Sequence, residues 1–108
     1  MKINKESILS ILKALDKEKY SILEIGLFGS YAREEETDSS DIDIIVKIEF
    51  KKGMYRNFCA LQEELENTFG KKVDLVEKSV FDYKFKNPDV KDYKEKVKEE
   101  ILGSVIYV

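Results

Sequence analysis

The stretch Asp41-Ile42-Asp43-Ile44-Ile45-Val46 constrains this chain more than any other. Its β-branched residues favour a strand. A strand's period of two sends Ile42, Ile44 and Val46 to one face and Asp41 and Asp43 to the other, with the two carboxylates about 6–7 Å apart along the chain. Carboxylates held that close repel one another. They require a bridging cation, a shared proton or deep solvent.

Upstream, residues 21–28 (SILEIGLF) read as a second strand, with Leu23, Ile25 and Leu27 expected on the core face and Ile22, Glu24, Gly26 and Phe28 on the other. It ends at Gly29-Ser30, and residues 31–36 carry helical propensity for about two turns. A strand that feeds Gly-Ser at a helix start directs unpaired N–H groups and a hydroxyl at one spot, which suits phosphate oxygens. Taken alone, the dipeptide is an ordinary turn with a helix cap. Residues 37–40 are a polar turn, and the strand 41–48 follows. A third strand is expected over residues 71–78 (KKVDLVEK), with Val73 and Leu75 on one face and Asp74 and Val76 on the other. A lone aspartate there reads as an edge residue. With the pair at 41 and 43 it becomes the third member of a common site, provided the strands are neighbours.

The remaining pattern is helical. Residues 1–19 place Ile8, Ile11, Leu12 and Leu15 on one face, with Asn4 as N-cap; residues 54–69 repeat Phe58, Leu61, Leu65 and Phe69 at spacings of three and four, with Gly70 just past the end. Residues 80–87 alternate Phe81, Tyr83 and Phe85 with polar residues, in a strand or a loop. Pro88 marks a boundary, and Val90, Tyr93, Val97 and Ile101 predict a further helix over 90–101. Residues 104–108 (SVIYV) are expected to be a terminal strand or an apolar tail that meets a partner.

Composition removes whole classes of chemistry. The 108 residues suit one domain, and the net charge of −3 argues against holding nucleic acid by general electrostatics. No histidine is present, which excludes Ser-His-Asp and Cys-His catalysis and His-containing zinc sites. The single cysteine, Cys59, cannot form an intrachain disulfide and is expected to be a small buried hydrophobe. Neither a signal peptide nor an apolar run of membrane-spanning length is seen, so a soluble cytoplasmic protein without membrane contact is expected.

Three aspartates on adjacent strands, facing a Gly-Ser cradle, suit phosphoryl or nucleotidyl transfer without histidine. Mg²⁺ prefers carboxylate, water and phosphate oxygens, and two such ions clamp an in-line displacement at phosphorus. On this reading Asp41 and Asp43 hold the ion that carries the triphosphate, and Asp74 completes a second metal site or takes the acceptor's proton directly. Ser30 and the N–H groups behind it grip the terminal phosphates, and Arg33 offsets their charge.

Gly29-Ser30, ten intervening residues and then Asp41-x-Asp43 resemble the motif of the polymerase beta-like nucleotidyltransferase superfamily. The fuller string GSYAREEETDSSDIDIIV, with KKVDLV downstream, resembles its minimal nucleotidyltransferases, the MNT or MntA-like antitoxins encoded beside HEPN-domain proteins. The resemblance implies an α/β (α+β) fold with a small mixed sheet and three main helices packed against it, in a single domain spanning residues 1–108. It matches Gly29 and Ser30 to the nucleotide-gripping motif, Asp41 and Asp43 to the metal pair, and Asp74 to the third catalytic carboxylate. It also implies an ATP- and Mg²⁺-dependent protein adenylyltransferase that places AMP on a tyrosine of a cognate HEPN ribonuclease toxin, within a hetero-oligomer. Larger superfamily members add a helical domain over the base, so base selectivity here is expected to be modest or completed by the partner. One departure is Glu34, which stands where the family pattern has glycine and adds negative charge near the expected phosphates. An antitoxin that acts by binding alone, and a nucleotidyltransferase acting on a small molecule or an RNA end, are the alternatives.

Overall fold

Asn4 starts the first helix by a reciprocal pair of bonds: its side chain accepts the Ser7 N–H at 2.8 Å, and the Ser7 hydroxyl accepts the Asn4 N–H at 2.9 Å. The computed structural model describes residues 2–79, 103 and 105–108. The expectations for residues 80–87, for Pro88 and for the helix over 90–101 lie outside them. The elements are α1 (Lys5–Ala14), β1 (Ile22–Phe28), α2 (Gly29–Ala32), β2 (Ile42–Ile48), α3 (Met54–Phe69), β3 (Val73–Glu77) and β4 (Ile106–Tyr107). Helix α1 stops well short of residue 19, because Leu15 turns to extended backbone and the Asp16 carboxylate caps the next turn, accepting the Lys19 N–H at 3.2 Å. Among the described residues no helix is long and apolar enough to cross a membrane.

The sheet has the order β3-β2-β1-β4; β1 runs antiparallel to both β2 and β4, while β2 and β3 are parallel. Parallel neighbours need a crossover, and α3 provides it. Its Leu61, Leu65 and Phe69 join Ile8 and Leu12 of α1 against Ile25, Leu27, Ile42, Ile44, Val46, Val73 and Leu75 of the sheet. Each fully buried aliphatic side chain in that layer contributes about 1.5–3 kcal/mol relative to exposure. Gly70, in the left-handed conformation, closes α3 by donating its N–H to Glu66 at 2.8 Å.

Two details of β1 depart from its simple alternation. Ile22 pairs with Ile48 and Glu24 with Lys47, so Leu23 is an extra residue in a bulge. The bulge resets the faces: Ile22 enters the core at 7% exposure, while Leu23, expected inside, is 58% exposed. At the other edge, the terminal segment is part of the sheet, with Gly26 opposite Tyr107, Leu27 opposite Ile106, and the Val108 N–H donating to Ile25 at 3.1 Å. Gly26 permits that approach, since a Cβ there would sit 2.7 Å from Val105 Cγ1 and 2.9 Å from the Ile106 carbonyl oxygen. Cys59, expected inside, is exposed on α3. It falls on the helix face away from Leu61 and Leu65.

Gly26→Ala is therefore expected to push β4 off the sheet edge and to destabilise the protein by about 1–3 kcal/mol, measured by urea unfolding. An unchanged midpoint would show that β4 yields without cost.

Candidate active site

The end of β1 meets the beginning of β2 where Phe28 is paired with Asp43. The next residue, Gly29, turns the chain at φ +75, and a Cβ there would lie 2.0 Å from Asp43 Oδ2 and 2.8 Å from its Cγ. Backbone conformation and space both demand glycine. The glycine of the Gly-Ser motif thus makes room for the carboxylate of Asp43, a second role beside the expected one of shaping a phosphate cradle.

From Gly29 the chain makes the single turn of α2, anchored by buried Tyr31 and Ala32, with Ser30 as its second residue. The two turns expected over residues 31–36 do not form. Arg33 caps the turn and Glu34 takes a left-handed conformation at φ +58, after which the Glu34 and Glu35 N–H groups close back onto the Tyr31 and Ser30 carbonyls at 3.3 and 2.9 Å. The position where the family pattern has glycine is thus a left-handed one, which costs glutamate on the order of 1 kcal/mol. The Glu34 carboxylate is drawn to Lys5 of α1, 3.9 Å away. Arg33 remains beside the site, its Nε 3.1 Å from a Glu35 carboxylate oxygen.

On the other side of β2, Asp43 is paired with Asp74 across the parallel ladder. Residues paired in this way point to the same face, with strands about 4.8 Å apart. Asp41 lies one residue before β2 begins at Ile42, outside the ladder in which the sequence reading placed it. Asp41 and Asp74 are exposed and Asp43 is half-buried. Burial, reinforced by the charges of Asp74 and Asp41 and opposed by Arg33, pushes the Asp43 carboxyl up to about 6. The structure thus brings Gly29, Arg33, Asp41 and Asp74 around the carboxylate of Asp43, with Ser30 next in the chain to Gly29.

Among the described residues, no three His, Cys, Asp or Glu groups gather closely enough to hold a metal ion. What the site offers is two to three carboxylates that repel each other in the absence of a cation. That donor set fits Mg²⁺, which is usually held by one or two carboxylates together with water and substrate phosphates rather than by an all-protein cage.

The sequence reading passed over Lys71. Its ammonium donates to the Asp38 carbonyl at 3.1 Å, in the loop that delivers Asp41. A lysine in a polar turn carries no pattern that announces such a contact.

Fold and site together define a nucleotidyltransferase. The family described as "Nucleotidyltransferase domain" matches residues 6–107, and the chain belongs to it. Within that family it is similar to the protein adenylyltransferase MntA of Thermococcus cleftensis, at 37% identity over 103 residues that cover 95% of this chain and 91% of the relative. A Methanocaldococcus jannaschii protein, provisionally named a protein adenylyltransferase, is 43% identical over 86 residues, covering 80% of this chain and 83% of its own. Among solved structures, a provisionally assigned minimal nucleotidyltransferase has the same fold, with a TM-score of 0.70 and 23% identity, covering 96% of this chain and 95% of that one. A toxin–antitoxin structure with AMP-PNP gives a TM-score of 0.56 at 20% identity, covering 97% of this chain and 72% of that one.

The electrostatics of Asp43 set a pH dependence. Its carboxyl binds a proton more tightly folded than unfolded, so the associated stability is fully present below about pH 4 and is lost as the pH rises through about 6. Without divalent metal, Asp43→Asn is expected to exceed the native protein in stability above pH 6, by on the order of 1 kcal/mol after solvent screening. The gap should close below pH 4. Thermal melts across this range check it, and a gap that does not change with pH would contradict the account.

Proposed function

We propose that residues 1–108 act as one Mg²⁺-dependent adenylyltransferase domain that transfers AMP from ATP to a tyrosine hydroxyl of a HEPN-domain ribonuclease toxin and thereby neutralises it. The observation that carries this reading is the pairing of Asp43 with Asp74, with Gly29 packed against Asp43 at the start of α2. The names of the relatives support it. The Thermococcus protein is named a protein adenylyltransferase, and one solved structure that shares the fold is described as a toxin–antitoxin assembly of MntA and HpeT, with a TM-score of 0.57. The family resemblance carried by the Gly29-Ser30 and Asp41-x-Asp43 motif supports a HEPN protein as the acceptor.

In the reaction, the acceptor oxygen forms a bond to the α-phosphorus of ATP, the bond between that phosphorus and the bridging oxygen breaks, and pyrophosphate leaves with the electron pair. Asp74 stands beside Asp43 and takes the hydroxyl proton. Asp41 and Asp43 would hold the ion that carries the triphosphate, and Asp74 would complete the site once substrate oxygens supply the remaining ligands. When bound with the triphosphate, Mg²⁺ neutralises charge at phosphorus and lowers the pKa of the attacking hydroxyl. Ser30 and the first N–H groups of α2 bind the terminal phosphates, and Arg33 releases Glu35 to offset their charge. Glu34, engaged with Lys5, leaves that cradle free of its carboxylate.

The test pairs the purified chain with its neighbouring HEPN protein, Mg²⁺ and ATP labelled at the α-phosphate. Label should appear on the partner, and the combined Asp41→Asn and Asp43→Asn substitutions should reduce transfer by more than about 100-fold and abolish protection from the RNase. If the partner is inhibited with no label transferred, or the doubly substituted chain protects as well as the native one, inhibition by binding alone replaces the enzymatic reading.

A further inference from the structure

Asp41 stands outside the sheet, so the ladder that fixes Asp43 and Asp74 does not fix it. Its position depends on the loop before it. That loop is bonded internally: the Ser40 N–H donates to the Thr37 carbonyl at 3.0 Å, and the Thr37 N–H donates to the Ser40 hydroxyl at 2.9 Å. These bonds shape the loop but do not attach it to the rest of the protein.

Among the described residues, two bonds, one on each side of Asp41, make that attachment, and both come from the turn between α3 and β3. Before Asp41, the Lys71 ammonium donates to the Asp38 carbonyl at 3.1 Å; after it, the Ile42 N–H donates to the Lys72 carbonyl at 3.1 Å. The second is a backbone bond that any residue at 72 would accept. The first belongs to one side chain. The same ammonium also lies 5.9 Å from the ring centre of Tyr31, which is 3% exposed, anchors α2 and follows Ser30 in the chain. Lys71 itself lies three positions before Asp74. One side chain therefore reaches all three segments that carry the expected site: α2 with Ser30, the loop with Asp41, and the start of β3 with Asp74.

We propose that Lys71 is a positioning residue that clamps the Asp41 loop against α2 and β3, so that Asp41 is held where it meets the metal–triphosphate complex. The inference rests on the reading of Asp41 as a metal-holding carboxylate. In this role Lys71 acts through the Asp38 carbonyl. An arginine can make the same cationic bond to a carbonyl and the same approach to an aromatic ring, whereas a methionine keeps the aliphatic stem and loses both.

Wild type, Lys71→Met and Lys71→Arg are compared as full chains by three measurements: amide exchange of Ser40 without nucleotide, the Mg·ATP concentration for half-maximal AMP transfer to the partner, and thermal unfolding. Lys71→Met is expected to speed Ser40 exchange by about 10-fold. It should also raise the half-saturating Mg·ATP concentration by about 10-fold, with little change in the maximal rate or in the unfolding midpoint. Lys71→Arg should restore both values. Unchanged Ser40 exchange in Lys71→Met overturns the clamp, as does a loss shared equally by both variants together with a lowered midpoint, which marks a merely structural role. A wild-type protein that transfers no AMP refutes the proposed activity instead, while Ser40 exchange still reports on the clamp.

Discussion

The contact between Gly29 and the carboxylate of Asp43 is the constraint on which the rest of the arrangement depends. A Cβ at residue 29 would occupy the place of Asp43 Oδ2. The strand end, the turn into α2 and the half-buried carboxylate are therefore one unit. Neither Ser30 nor Asp43 could keep its place if the other element moved by the width of a methyl group. The unit is costly in isolation, because burial and two neighbouring aspartates all disfavour the charge on Asp43. On the proposed function that cost has a use, since a cation brought in with the triphosphate would relieve the same repulsion.

The remaining elements hold that unit rigid. The β2-α3-β3 crossover makes β3 parallel to β2 and sets Asp74 beside Asp43; a slip of one residue would turn Asp74 into the helical layer and Val73 toward the site. Buried Ile42 and Ile44 on one side, and Val73 and Leu75 on the other, oppose such a slip because each would lose its place in the core. The register of the apolar face thus fixes the register of the acidic one. Burial by α1 and α3 on one face is what presents the aspartates on the other. The bulge at Leu23 lies at the far end of β1 and leaves the pairing of Phe28 with Asp43 intact.

Much of this was legible in the sequence because it follows from short periods. Alternation in residues 41–48 and 71–78 put the aspartates on the face opposite the core, and the Gly-Ser turn marked the end of the preceding strand. The helical spacing of Leu61, Leu65 and Phe69 identified the face of α3 that the core covers. What stayed hidden is local or long-range. The extra residue at Leu23 breaks a period without announcing itself, and the left-handed backbone at Glu34 is masked by a residue type that favours helix. Asp41 falls just outside its strand, between residues 38 and 42, which are bonded to Lys71 and Lys72 about thirty residues away. No pattern in one sequence links such distant positions.

On the proposed function, these carboxylates are completed by a metal that arrives with its nucleotide, which would relieve the repulsion that burial and two neighbouring aspartates place on Asp43. Calorimetric titration of the purified chain tests this most directly, with Mg²⁺ alone, ATP in the presence of a chelator, and ATP with Mg²⁺. Only the last combination should give tight, saturable binding. Tight binding of Mg²⁺ without nucleotide, or ATP binding that ignores the chelator, would contradict the account.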